Sequence, residues 1–410
     1  MARFGALRVD AAALGSLAGA AAAALHFAGA LKSTPPGAAL PVDLTLLAAA
    51  ALVPLLALLL LTRRWWLHPM LALPLGTAAL LWLWLVLAGG WSRSATILAQ
   101  KLPEIVLLGP VMLLAGLAVG ADGAARRWLV AVTLASGPLV AVSVAWGLAN
   151  GKIVLGGAVG ANPDLLRVQY QLAGLAIACA AGLGAVRVVE ADGWPARLFW
   201  SGFTLALAAS ALLPGGRMGL ISLALSVLLV PALRCWSAGS PRAALRWLGL
   251  AALAGLLGAV LLLLQAEAME GLRTLERLTQ GGMEASARPA LWRAALDWAG
   301  ATMPWGLGTG GFTIAAGHGE RRGLYPHNHA LEALAEGGPI GLALWLGCFG
   351  GGAAMLLLRA RHVAPGRMAR MAALALPVGM AAMVSTDLGN RMVWFALGLV
   401  LSVGAVAKRG

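Results

Sequence analysis

Charge is what this sequence has least of: only 11% of its 410 residues are Asp, Glu, Lys or Arg. A soluble domain carries about 25%, so a water-facing surface over the whole chain is excluded. Cysteine is scarce too. Cys179, Cys235 and Cys348 lie far apart, in or beside apolar stretches. No CxxC or metal-like spacing appears, which argues against structural disulfides and a cysteine-based site. There is no polar domain at either end and no short-period repeat. Acidic residues number 16 against 30 Lys and Arg, a formal net charge of +14. The basic residues are not gathered on one soluble module, so no nucleic-acid partner is expected.

What is present is hydrophobic length. The chain is 60% hydrophobic with a mean hydropathy of +0.84. Its apolar runs reach the roughly 18 or more residues needed to cross a bilayer core. About twelve spans are predicted, at 11–31, 43–62, 69–90, 102–120, 128–148, 168–186, 197–213, 218–233, 247–265, 338–358, 371–386 and 392–407. Each satisfies its backbone hydrogen bonds internally as a helix. Arg3 and Arg8 before the first run imitate a signal peptide, but the run is long enough to span and reads as an uncleaved first helix. The fold class expected is all-α: a polytopic membrane helix bundle over 1–410, a single integral membrane domain contacting membrane lipid.

Positive charge orients the bundle. With the N-terminus inside, about 17 Lys and Arg fall on cytoplasmic segments and about seven in the short outside loops, among them Lys101, Arg217 and Arg391. An even span count places both termini in the cytoplasm of a bacterial inner membrane. The one long loop, 266–337, then lies on the periplasmic side. Loops this long inside a compact bundle tend to be functional. ATP and nucleotide sugars are absent from that compartment, so an enzyme there needs a donor that is already activated.

The loop contains an amphipathic helix pattern, with Leu291, Ala295 and Trp298 at helical spacing and Arg293 and Asp297 as an i,i+4 pair. Pro304 with Gly306, Gly308, Gly310 and Gly311 follows, either a breaker between helices or a phosphate-cradling turn. Then Pro326-His327-Asn328 opens a helix through His329, Glu332 and Glu336. Asn328 is its expected N-cap, leaving His327 just outside the first turn. An unperturbed imidazole titrates near 6.5, which suits a general base at neutral pH.

His327-Asn328 followed after nine residues by Gly338 and then by Gly341 resembles the signature of the O-antigen ligase and polymerase superfamily. Arg288 with Trp292, then Pro304, Gly306 and Gly308, is similar to that family's long periplasmic loop. Arg217, in Pro214-Gly-Gly-Arg-Met-Gly, resembles a second family arginine, with Gly216 standing where a serine is frequent. The resemblance spans roughly 210–400. It implies a GT-C-type bundle that transfers a glycan from undecaprenyl diphosphate to an acceptor hydroxyl, by inversion, without metal or other cofactor. It implies His327 as base and Arg217 and Arg288 as diphosphate anchors, with Arg293, Asn328, His329, Asp387 and Arg391 as further substrate-binding candidates. A diphosphate leaving group needs fixed positive charge, and arginine's planar fork pairs with phosphate oxygens two at a time.

Several assignments stay open on sequence alone. His329 is a partner of His327, a metal ligand or an exposed helix residue. Asp387 and Arg391 pair with each other or line the cavity. Glu332 and Glu336 are solvated or structural rather than catalytic. Trp292 and Trp298 belong to an interfacial belt or stack on sugar. The leading function is O-antigen ligase, with undecaprenyl-diphosphate-linked O-antigen as donor and lipid A-core as acceptor. A polysaccharide polymerase of the same superfamily is the alternative. From another class, a transporter of an anionic lipid or solute would share the helices and cavity arginines, though no half-to-half repeat is visible. If the enzyme reading is right, His327, Arg217 and Arg288 converge on one cavity.

Overall fold

The computed structural model describes residues 10–155, 165–264 and 288–409; Arg3, Arg8 and the first part of the long loop, 266–287, lie outside them. The described residues are 78% helical. Ten helices are long and apolar enough to cross a membrane among the described residues. In chain order the bundle runs α1 (Ala11–Leu31), α2 (Leu44–Thr62), α3 (Ala72–Ala88), α4 (Ala95–Ala121), α5 (Gly123–Ala149), α6 (Tyr170–Glu190), α7 (Trp194–Ser210), α8 (Arg217–Ser237), α9 (Pro241–Leu264), α10 (Arg288–Ala301), α11 (His329–Arg359), α12 (Pro365–Val384) and α13 (Arg391–Leu401). All twelve expected spans fall on helices. Two are shorter than a full crossing: α7 has 17 residues, and α13 ends at Leu401 with a 3-10 turn to Gly404. The last expected span, 392–407, therefore loses its end. Ala405–Arg409 instead forms a strand antiparallel to Arg63–Leu67, with Trp66 opposite Val406.

Six of these helix starts are fixed by side-chain caps. Asp10, Asp43, Ser94, Asp122, Asn328 and Asn390 each accept a hydrogen bond from the first turn that follows. Such caps matter in an apolar chain, because the first four N–H groups of a helix have no partner inside it. Asp122 serves twice. It caps α5 and, at 3.0 Å, receives Arg63 Nε, a pair buried at the end of the bundle opposite the long loop. Glu190, meeting Arg187, Arg234 and Arg370, forms a second ion cluster at that same end.

Between the ends, packing is by close approach. Lipid tails are as apolar as leucine, so helix association in a membrane rests on van der Waals contact and small residues. α6 is the central helix, buried continuously from Ala173 to Val186 and packed on α5, α7, α8 and α12. α13 crosses α4 where two glycines face each other. A Cβ on Gly398 would sit 2.2 Å from the Leu113 carbonyl oxygen, and one on Gly116 would sit 2.1 Å from that of Phe395. Gly398→Leu is therefore expected to lower the thermal midpoint in detergent by several degrees. Gly249→Leu, on α9 with open space around it, should not. Equal melting of the two variants would refute the crossing.

Candidate active site

The motif helix begins as its sequence dictates. Asn328 lies in extended backbone and its side chain accepts from Leu331 N at 3.0 Å. The residue before it is strained. His327 has φ +54°, and among the described residues no other non-glycine has a positive φ. For an L-residue that region costs about 1–2 kcal/mol and persists only where the surroundings hold it. Three contacts do so here. Trp292 Nε1 donates to the Pro326 carbonyl at 2.8 Å. Tyr325 OH donates to the Ser385 carbonyl at 2.9 Å. The Tyr325 and His327 rings lie 4.0 Å apart.

His327 is half-buried, beside the backbone of Gly323 and Ser385, with its Nδ1 buried and not hydrogen-bonded to any described residue. Burial first, and the Arg288 guanidinium second, push the imidazole below its ordinary value, against the pull of Asp387. It is thereby neutral at neutral pH and able to accept a proton. Burial together with the Asp387 and Glu332 charges pushes the Tyr325 phenol up, so this ring remains a donor.

Beneath the motif lies a buried ion cluster. Lys101 Nζ, on α4, reaches Glu332 Oε1 at 2.5 Å and both carboxylate oxygens of Glu336 at 2.9 Å. The three side chains are 3%, 0% and 2% exposed. Backbone donors complete the cluster: Leu388 N to the other oxygen of Glu332 and Gly310 N to Glu336 Oε2, at 2.9 and 2.8 Å. The glycine-rich turn is bound to the same helix by Leu307 N to the Ala335 carbonyl and Gly308 N to that of Glu336. Gly306, Gly308 and Gly310 all have positive φ, and Gly338 (φ +65°) breaks α11 where the Pro304 carbonyl approaches. The turn is a docking clamp on the motif helix.

The turn between α12 and α13 completes the site. Asp387 Oδ2 pairs with Arg322 at 3.3 Å, and Arg322 also pairs with Glu104. His329 is fully buried, its Nε2 3.1 Å from Thr386 Oγ1 and its ring perpendicular to Phe349. A neutral imidazole, an arginine beside it, and a carboxylate turn across from it are thus held at one end of the bundle. Residues 202–346, from α7 into α11, match the family model described as O-antigen ligase. The likeness is to the O-antigen ligase superfamily and covers that segment, about a third of the chain. No curated protein matches it. Members are membrane glycosyltransferase-like enzymes acting on polysaccharide and lipid-linked substrates.

Of the residues expected in this superfamily's site, the structure gathers His327, Asn328, His329, Arg288 and Asp387. Arg217 opens α8 at the same end; its neighbour Met218 shares an apolar cluster with Ala381, Ala382 and Met392. Arg217 forms no ion pair with a described residue, and the charges acting on His327 are those of Arg288 and Asp387. Arg293 and Asp297 are both exposed on α10, and no ion pair joins them. Arg391 interacts with Asp43 and His26; of the two openings left for Asp387 and Arg391, pairing with each other is not the one taken, since Asp387 pairs with Arg322. His329, open as an exposed residue in the sequence, is buried. Glu332 and Glu336 are not solvated, because α4 and the glycine-rich turn cover them. Among the described residues no three His, Cys, Asp or Glu come together as a metal site.

Sequence reasoning missed Lys101, Glu104, Arg322 and Tyr325. Lys101 was expected in an outside loop; α4 begins earlier, at Ala95, and carries it inside. The available signal was an ionisable pair, Lys101 and Glu104, at the edge of an apolar run. Below the site, α8, α11, α12 and α13 enclose an apolar groove of about 480 Å³, its near end at Met383 and Val393 and its walls including Phe349 and Leu356.

Removing one partner of a buried ion pair leaves an uncompensated charge and costs about 3–5 kcal/mol. Lys101→Met is expected to destabilise by that order in thermal unfolding in detergent. Glu332→Gln, which keeps an oxygen for Leu388 N, should cost less. A melt for Lys101→Met as mild as that of the exposed control Lys152→Met would rule out the cluster.

Proposed function

We propose that the chain is an O-antigen ligase, moving O-antigen from undecaprenyl diphosphate to lipid A-core at the periplasmic face of the inner membrane. The observation that carries this reading is the strained, desolvated His327, held between the Arg288 guanidinium and the Asp387 turn above an apolar groove. The acceptor hydroxyl loses its proton to the His327 imidazole as its oxygen attacks the anomeric carbon. The bond from that carbon to the diphosphate oxygen breaks, and the electron pair leaves with the diphosphate. Its growing charge is met by Arg288 and, from the head of α8, by Arg217, the fixed cations that such a leaving group requires. One displacement inverts the anomeric centre. Neither a metal nor a cofactor takes part. The groove below suits the prenyl tail, since its walls are carbon and its near end lies at the Asp387 turn.

In a purified assay with undecaprenyl-diphosphate-linked glycan, lipid A-core and chelator, wild type is expected to build a glycan ladder on lipid A-core. His327→Ala should lose about 10²–10⁴-fold, the range of positioned general-base catalysis. Lengthening of the lipid-linked glycan with no transfer to lipid A-core would make the protein a polymerase instead. If neither product forms from a competent donor, the enzyme reading fails and transport is the next test.

The pH dependence follows from the direction of the His327 shift. The base must be neutral, so kcat/KM should rise with pH through a midpoint below the ordinary imidazole value of about 6.5. Arg288→Gln removes a cation that disfavours imidazolium, and the acid limb should move to higher pH. A limb unmoved by that substitution would separate Arg288 from the base.

A further inference from the structure

Arg322 occupies a position that an ordinary structural ion pair does not explain. Two carboxylates from different elements, Glu104 on α4 and Asp387 on the α12–α13 turn, share a single nitrogen of it, Nη2. One carboxylate would have satisfied the guanidinium; two leave the bridge with a net negative charge. The other edge of the guanidinium, Nε and Nη1, has no hydrogen bond to a described residue. The side chain is 30% exposed and so reachable from outside, whereas Asp387 is 14% exposed.

Both acids are fixed. Glu104 lies against Gly389, where a Cβ would meet its Oε2 at 2.1 Å. Asp387 sits on a turn anchored through Leu388 N to Glu332. The loop that carries Arg322 is held upstream by Ser94 Oγ donating to Glu320 at 3.0 Å, and downstream Gly323 lies at the His327 ring. The bridge therefore stands beside the base. Left to themselves, Glu104 and Asp387 would repel an anionic donor; Arg322 neutralises part of that charge and turns its open edge outward. A planar guanidinium can hold carboxylate on one edge and phosphate oxygens on the other.

We propose that Arg322 is a third diphosphate-binding arginine of the site, its open edge turned toward the leaving group of the lipid-linked donor. The proposal rests on the diphosphate donor assigned above.

The test is binding, not turnover: undecaprenyl diphosphate without glycan, titrated against the purified full-length protein in detergent, with undecaprenol as the phosphate-free control. Arg322→Gln is expected to weaken undecaprenyl diphosphate at least tenfold and leave undecaprenol unchanged, the latter also reporting that the variant is folded. Arg322→Lys should fall between, as a point charge without the fork. Glu104→Gln decides between binding and bracing: it removes a competing negative charge, so diphosphate affinity should hold or rise, whereas a brace broken at Glu104 would lose affinity as Arg322→Gln does. Wild-type affinity in Arg322→Gln, or a loss in Glu104→Gln, overturns the proposal. Should wild type bind undecaprenyl diphosphate no better than undecaprenol, the donor reading itself falls and Arg322 with it.

Discussion

Two carboxylates and one ammonium sealed in an apolar bundle impose the constraint around which this site is arranged. Lys101, Glu332 and Glu336 are nearly inaccessible to solvent, and buried charge is tolerated only when paired and hydrogen-bonded. Satisfying them draws three backbone segments together: α4, the glycine-rich turn through Gly310 N, and the α12–α13 turn through Leu388 N. The excess negative charge is shared out to those N–H donors. What the cluster orders is the set of loops that present His327, Arg322 and Asp387.

The site is accordingly composite. The segment matching the O-antigen ligase family, 202–346, carries His327, the two expected diphosphate arginines and the start of the motif helix. Lys101 and Glu104 come from before it, and Ser385, Thr386 and Asp387 from after it. The early helices are thus part of the site's support: α4 supplies the cation under the motif, and α13, crossing α4 at Gly398 and Gly116, fixes the turn above it. A strained His327 backbone needs such support, because the contacts of Tyr325 and Trp292 position it only if the elements they reach are themselves immobile.

Much of the fold was legible in sequence because membrane insertion leaves little choice. A run of about 20 apolar residues satisfies its own hydrogen bonds only as a helix, so every expected span falls on a helix, ten of them long enough to cross. The errors lie at ends, where hydropathy is silent: the last span stops at Leu401 because the chain leaves the bundle to pair with the Arg63–Leu67 strand. Asn328 as N-cap and His327 outside the first turn were readable from local chemistry. The burial of His329, Glu332 and Glu336 was not, since one helix offers several faces and only its neighbours decide which is covered.

By itself, the sequence determined that the chain is a membrane bundle, roughly where its helices lie, and which residues cap the helix that opens at Asn328. These follow from composition, hydrophobic length and capping, all properties of adjacent residues. Tertiary structure alone decided the partners of the charges: Asp387 with Arg322 rather than Arg391, Lys101 with two acids more than 200 positions away. Ion pairing depends on distance in space and on the loss of water, and neither is set by separation along the chain.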